Sequence, residues 1–212
     1  MRFSYQELQK YIEKPLPQVD KLAQELTDKA FEVENIVSSG KDYLMEIKVL
    51  PDRPDCKTTS GLAREVAAIF NLSLIPSLAA VANENDARTK IPFSEKDINT
   101  ILGLNLSQEE ILELFGRLRI GIVEKDSKLL ALIPSDRLDL NIMEDLADEV
   151  GRMHGVNKIP SVSLEKIVSP RINKTFLLTN KLREILVKEG FTEVYSYSLS
   201  DRGGVEVAEP LS

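Results

Sequence analysis

The sequence predicts an α+β chain, and three observations carry that prediction. Apolar residues recur at helical spacing in several stretches long enough for amphipathic helices. Shorter runs alternate apolar and polar residues and are joined by polar turns, the pattern of hairpins. Proline-containing stretches at Pro15, Pro17, Pro51 and Pro54, and glycines at Gly40, Gly103 and Gly190, separate these runs.

The elements follow in chain order. Ser4-Tyr5-Gln6-Glu7 reads as a capping box, with Phe3 and Leu8 placed for a hydrophobic staple, so a short helix starts here and runs to about Ile12. Pro15 and Pro17 break it. Val19, Leu22, Leu26 and Ala30 mark a second amphipathic helix. Residues 31–37 and 43–49 read as strands joined across Ser38–Asp42, the second with clean alternation through Met45, Ile47 and Val49. The stretch Leu50-Pro51-Asp52-Arg53-Pro54-Asp55-Cys56 is a stiff connector, because its prolines fix their own backbone and restrain the residues before them. A third helix runs from about Thr59 to Asn71, with Leu62, Val66, Ile69 and Phe70 inward and Arg64 and Glu65 on its flank.

Residues 75–89 have no strong period and read as a linker. Beyond it, residues 91–93 suggest a short strand and residues 97–102 a brief helix closed by Gly103. Ser107-Gln108-Glu109-Glu110 is a second capping box, opening a helix through Ile111, Leu114, Phe115 and Leu118. Residues 120–124 and 129–133 form a hairpin. Helix, helix, hairpin, helix is compatible with a winged-helix-like unit. Residues 174–188 are a further amphipathic helix, with Leu177, Leu178, Leu182, Ile185 and Leu186, and residues 191–199 are strand-like. This last pair lacks a partner sheet, so the chain is expected to be truncated or completed by another polypeptide.

The stretch from Ile133 to Gly155 organises the rest. Ile142, Leu146, Val150 and Met153 make an apolar face, with Asp145, Asp148 and Glu149 expected opposite and Asp139 just ahead of the first turn. Like charges at this spacing repel by a few tenths of a kcal/mol per pair. Solvent, Arg137 and Arg152, or a cation such as magnesium would offset that, and the pattern leaves a solvated acidic face and a metal site both open.

A net charge of −7 argues against a general polyanion binder. The single cysteine, Cys56, excludes an internal disulfide, and the single histidine, His154, is too distant in sequence to suggest a nucleophile–base pair. His154 suits a helix C-terminus, where its charge meets the dipole. No apolar run is long enough to cross a bilayer and residues 1–12 lack a signal-peptide pattern, so the expected location is cytoplasmic.

Four segments together resemble the bacterial-type phenylalanine–tRNA ligase beta subunit family. They are Phe31-Glu32-Val33-Glu34 with Met45-Glu46-Ile47; Pro51–Cys56 with Gly61–Ala68; Ile133–Asp139 with Asp145–Val150 and Lys158-Ile159-Pro160; and Leu182-Arg183 with Gly190–Leu199. The resemblance implies a unit over residues 1–74, a linker over 75–89, a winged-helix-like domain with the acidic helix over 90–160, and the start of a class II synthetase-like α/β module over 161–212. It implies that the family's oligonucleotide-binding insert, editing domain and anticodon-binding domain are absent. It further implies magnesium held by Asp139, Asp145, Asp148 and Glu149, with Asp148 standing where the family commonly has Glu. The implied partner is an alpha subunit that holds ATP and phenylalanine, within a heterotetramer that charges tRNA. No residues here would form an ATP site or a catalytic centre of their own. The alternative reading is a free-standing interaction or nucleic-acid-binding module derived from the same scaffold.

Overall fold

The computed structural model describes residues 1–163 and 173–196. It divides into two units, Met1–Ser161 and Val162–Ser212, each described by itself below.

The first unit opens with strand β1 (Arg2–Ser4) and helix α1 (Tyr5–Gln9). Ser4 accepts from the Glu7 backbone N–H as expected of a cap, at 3.0 Å. The reciprocal half of the expected box is missing, because the Glu7 carboxylate pairs with Lys10. The Tyr5 hydroxyl donates to the carbonyls of Leu16 and Pro17 and pins the proline segment. Helix α2 (Val19–Lys29) buries Val19, Leu22, Ala23 and Leu26. Strands β2 (Val33–Ser39) and β3 (Asp42–Ile47) form the expected hairpin, turning at Gly40 and Lys41. Strand β1 pairs with the other edge of β3, with Phe3 opposite Met45, so the sheet order is β1-β3-β2. This third strand is absent from the local pattern, since three residues are too few to show a period.

The proline connector contains a short 3-10 turn at Pro54–Lys57 and leads into α3 (Thr59–Phe70). A Cβ on Gly61 would lie 1.7 Å from the Asp55 carbonyl oxygen, so only glycine lets the turn pack this closely on α3.

Strand β4 (Thr89–Phe93), helices α4 (Glu95–Leu102) and α5 (Gln108–Arg117), strands β5 (Gly121–Lys125) and β6 (Lys128–Ile133), and helix α6 (Met143–His154) follow. Both halves of the Ser107–Glu110 capping box are present. Asp126 and Ser127 both take positive φ and close the β5–β6 hairpin. The second sheet has the order β4-β6-β5, with Ile91 and Ile122 flanking Ala131. The linker lies along it: Ala82 donates to the Arg119 carbonyl, and a Cβ on Gly121 would meet the Ala82 carbonyl oxygen at 1.9 Å.

Residues 1–74 and 90–160, read from sequence as units on either side of a linker, share one core. It runs from Phe3, Leu22, Met45 and Leu62 through Ile98, Ile111 and Phe115 to Leu146 and Val150. Arg117 of α5 donates to the carbonyls of Ala68 and Ile69 at the end of α3, at 2.6–2.9 Å. Arg152 of α6 reaches Glu65 of α3 and the Lys29 carbonyl of α2. Sequence spacing cannot show these contacts, because they join residues far apart along the chain.

In the second unit, α7 (Lys174–Lys188) is helical where expected, with Asn173 as its N-cap. Its apolar residues are exposed. Residues 191–196 form no strand, and the remainder of the expected strand, 197–199, lies outside the described residues. No helix among the described residues is long and apolar enough to cross a membrane.

Candidate functional site: a buried arginine–carboxylate circuit

The four carboxylates expected to hold magnesium have four different surroundings. Asp139 is mostly buried, and both its oxygens accept from Arg137, at 2.9 and 2.6 Å. Asp145 caps its own helix, accepting from the backbone N–H groups of Asn141 and Ile142 at 2.7 and 3.0 Å. Asp148 is exposed. Glu149 is buried, with one oxygen accepting from Arg152 at 2.7 Å and the other from both Arg152 and Arg137, at 2.6 and 3.0 Å.

One shared exposed surface was expected for these side chains, and Glu149 and Ile142 correct that expectation. Glu149 follows Leu146 by three residues and precedes Met153 by four, so it sits on the apolar stripe and turns inward with it. Ile142 was expected to be buried; it precedes the helix as its N-cap and is exposed.

The partners of Glu149 and Asp139 extend into a circuit. Arg152 also donates to Glu65, whose other oxygen accepts from Arg53 at 2.6 Å. Arg53 holds Asp55 through two bonds of 3.0 Å, and its Nε lies 4.0 Å from Asp139, which closes the ring. Three guanidinium groups (Arg53, Arg137, Arg152) thus face four carboxylates (Asp55, Glu65, Asp139, Glu149). The Arg53 guanidinium also lies over the Phe31 ring, 5.4 Å from its centre. Arg53 and Glu65 have structural positions that the sequence reading missed, treating one as part of a connector and the other as a flank residue. Glu65 carried a signal: it lies three residues after Leu62 and four before Ile69, on the buried stripe of α3.

The charges settle each other. Burial alone would push the Glu149 carboxyl up, but attraction from Arg152 and Arg137 overrides it and holds the group well below the usual carboxylate range. Glu65 is lowered in the same way: burial opposes, and Arg152 and Arg53 prevail. Arg53 and Arg137 are raised against burial by the carboxylates they face. Cys56 is buried beside this circuit, 3.1 Å from an Arg53 nitrogen, and burial pushes its thiol well up, which makes it an inert packing group.

This arrangement does not fit a magnesium ion held by all four expected ligands. Both oxygens of Asp139 and of Glu149 are engaged by arginine, and Asp148 lies outside the circuit. Magnesium needs near-octahedral oxygen ligation at about 2.0–2.1 Å, and here every carboxylate oxygen of Asp139 and Glu149 already accepts from a guanidinium whose positive charge opposes a cation. Among the described residues, no group of three or more His, Cys, Asp or Glu side chains is arranged to hold a metal ion.

A protein-family model described as the tRNA synthetase B5 domain matches residues 91–156, from β4 to the turn after α6. The phenylalanine–tRNA ligase beta subunit of Clostridium acetobutylicum is 38% identical over 103 residues, 48% of this chain and 13% of that protein. The beta subunit of Staphylococcus aureus strain Mu50 is 33% identical over 113 residues, 52% of this chain and 14% of that protein. The chain therefore carries a stretch matching the B5 domain and is similar, over about half its length, to a small part of phenylalanine–tRNA ligase beta subunits.

Proposed function

We propose that this chain serves as part of a phenylalanine–tRNA ligase beta subunit, as a structural platform with no catalytic residues of its own. One observation carries this reading: the stretch that matches the B5 domain is folded against residues 1–70 by the arginine–carboxylate circuit. On this reading residues 1–74 and 90–160 are two modules of the family, the second winged-helix-like, joined by the 75–89 linker. Residues 161–212 begin a class II synthetase-like module. The alpha subunit supplies the ATP and phenylalanine sites, and tRNA is met only by the assembled enzyme in the cytoplasm.

Co-expression with the alpha subunit tests this. The expected outcome is a complex that survives affinity capture and size exclusion, and a chain that elutes alone in the alpha subunit's presence would overturn it. Nucleic-acid binding by the isolated chain is the weaker reading. Arg53, Arg137 and Arg152 are committed to carboxylates inside the protein and are not available to phosphates.

A further inference from the structure

The circuit draws its groups from three separate places. Arg53 and Asp55 come from the proline connector, Glu65 from α3, and Arg137, Asp139, Glu149 and Arg152 from the turn before α6 and from α6 itself. Every one of these side chains is at least 86% buried. Four buried carboxylates without counter-charges would be prohibitive, so whatever neutralises them also holds the connector, α3 and α6 together.

We propose that Arg137 and its two companion arginines take the place of a divalent cation in this chain. They discharge Asp139 and Glu149, dock α6 on α3 without metal, and close those carboxylates to magnesium. Arg137 is the gate. It is 3% exposed and touches both carboxylates, so an ion reaching Asp139 and Glu149 must first displace it. An ion bound beside an undisplaced guanidinium would meet like charge at contact distance, in surroundings that screen poorly. Asp145 is held at the start of α6, with one oxygen accepting from two backbone N–H groups. This inference concerns the chain alone and holds or fails independently of the synthetase reading.

The test uses the full chain, with thermal midpoint and calorimetric titration of MgCl2 as readouts and NaCl of equal ionic strength as control. For the parent, the midpoint in EDTA and in millimolar magnesium should agree, and the titration should give no saturable heat. Arg137→Met should lower the midpoint by about 10 °C in EDTA, since it strands buried carboxylates. The same variant should gain a saturable magnesium response, because both oxygens of Asp139 then lose their arginine and Glu149 keeps only Arg152. If Arg137→Met is soluble only when magnesium is present, that is the same expected result. Arg137→Lys keeps the charge without the two-pronged contact; it should lose less stability and stay unresponsive to magnesium. A parent midpoint that rises saturably with magnesium, and loses that rise in the Asp139→Asn, Glu149→Gln double variant, would overturn the proposal. So would an Arg137→Met chain that remains indifferent to magnesium.

Discussion

Helices α6 and α7 carry the same kind of sequence signal and have opposite surroundings. In α6, Leu146 and Val150 are fully buried and Met153 nearly so. In α7, Phe176 is 61% exposed and Leu182 is 52% exposed, with Leu177, Leu178, Ile185 and Leu186 similarly open. Periodicity identifies a face that must be covered; it does not supply the cover. The cover of α6 comes from α2, α4, α5 and β4 within Met1–Ser161, and the buried Arg152–Glu65 pair ties it to α3. Within its own unit, the described residues give α7 no such cover.

The largest test of this contrast removes a charge from under α6. Arg152→Met takes from Glu65 and Glu149 one of their two arginine partners each, and should cost about 3–5 kcal/mol by urea unfolding. A cost below about 1 kcal/mol would mean that the circuit contributes little to docking α6. Next, Leu146→Ala should cost about 2–5 kcal/mol, as for other fully buried leucines.

Acid should act on the same place. Glu65 and Glu149 have folded values held, against burial, below their usual 4.5 by Arg53, Arg137 and Arg152. Below that value the unfolded chain takes up protons that the folded chain refuses. Their contribution is therefore fully present at neutral pH and is lost as pH falls from about 4.5 downward. Stability measured from pH 7 to pH 3 should stay level and then drop, and the drop should shrink in Glu65→Gln. The smallest expected effect is in α7, where Leu182→Ala should change stability by less than about 0.5 kcal/mol. A cost matching that of Leu146→Ala would show that α7 is covered in solution.

Local pattern made much of the fold legible. Helices α2, α3, α5 and α6 and both hairpins follow from the 3.6- and 2-residue periods, and Ser107 and Glu110 mark the start of α5 from sequence alone. Strand β1 was not legible, because its pairing with β3 joins residues more than forty positions apart. The acidic helix was legible as an element, but its chemistry was only half so. Asp139, Asp145, Asp148 and Glu149 are carboxylates in one short stretch, yet their counter-charges include Arg152, whose other partner is Glu65 in α3, 87 positions away. Glu65 and Glu149 both occupy apolar stripes, and a charge on such a stripe asks for a buried partner without naming it.

Arg117 has a consequence for how the molecule opens. Its guanidinium, extended from α5, donates to the carbonyls of Ala68 and Ile69 and places positive charge at the negative end of the α3 dipole. A helix end held this way does not fray by itself. The amides of Phe70, Asn71 and Leu72 should therefore exchange with deuterium no faster than the segment around α5 detaches, as members of one cooperative opening unit. Arg117→Ala should release that coupling, and exchange at the end of α3 should then accelerate while the middle of α5 keeps its protection.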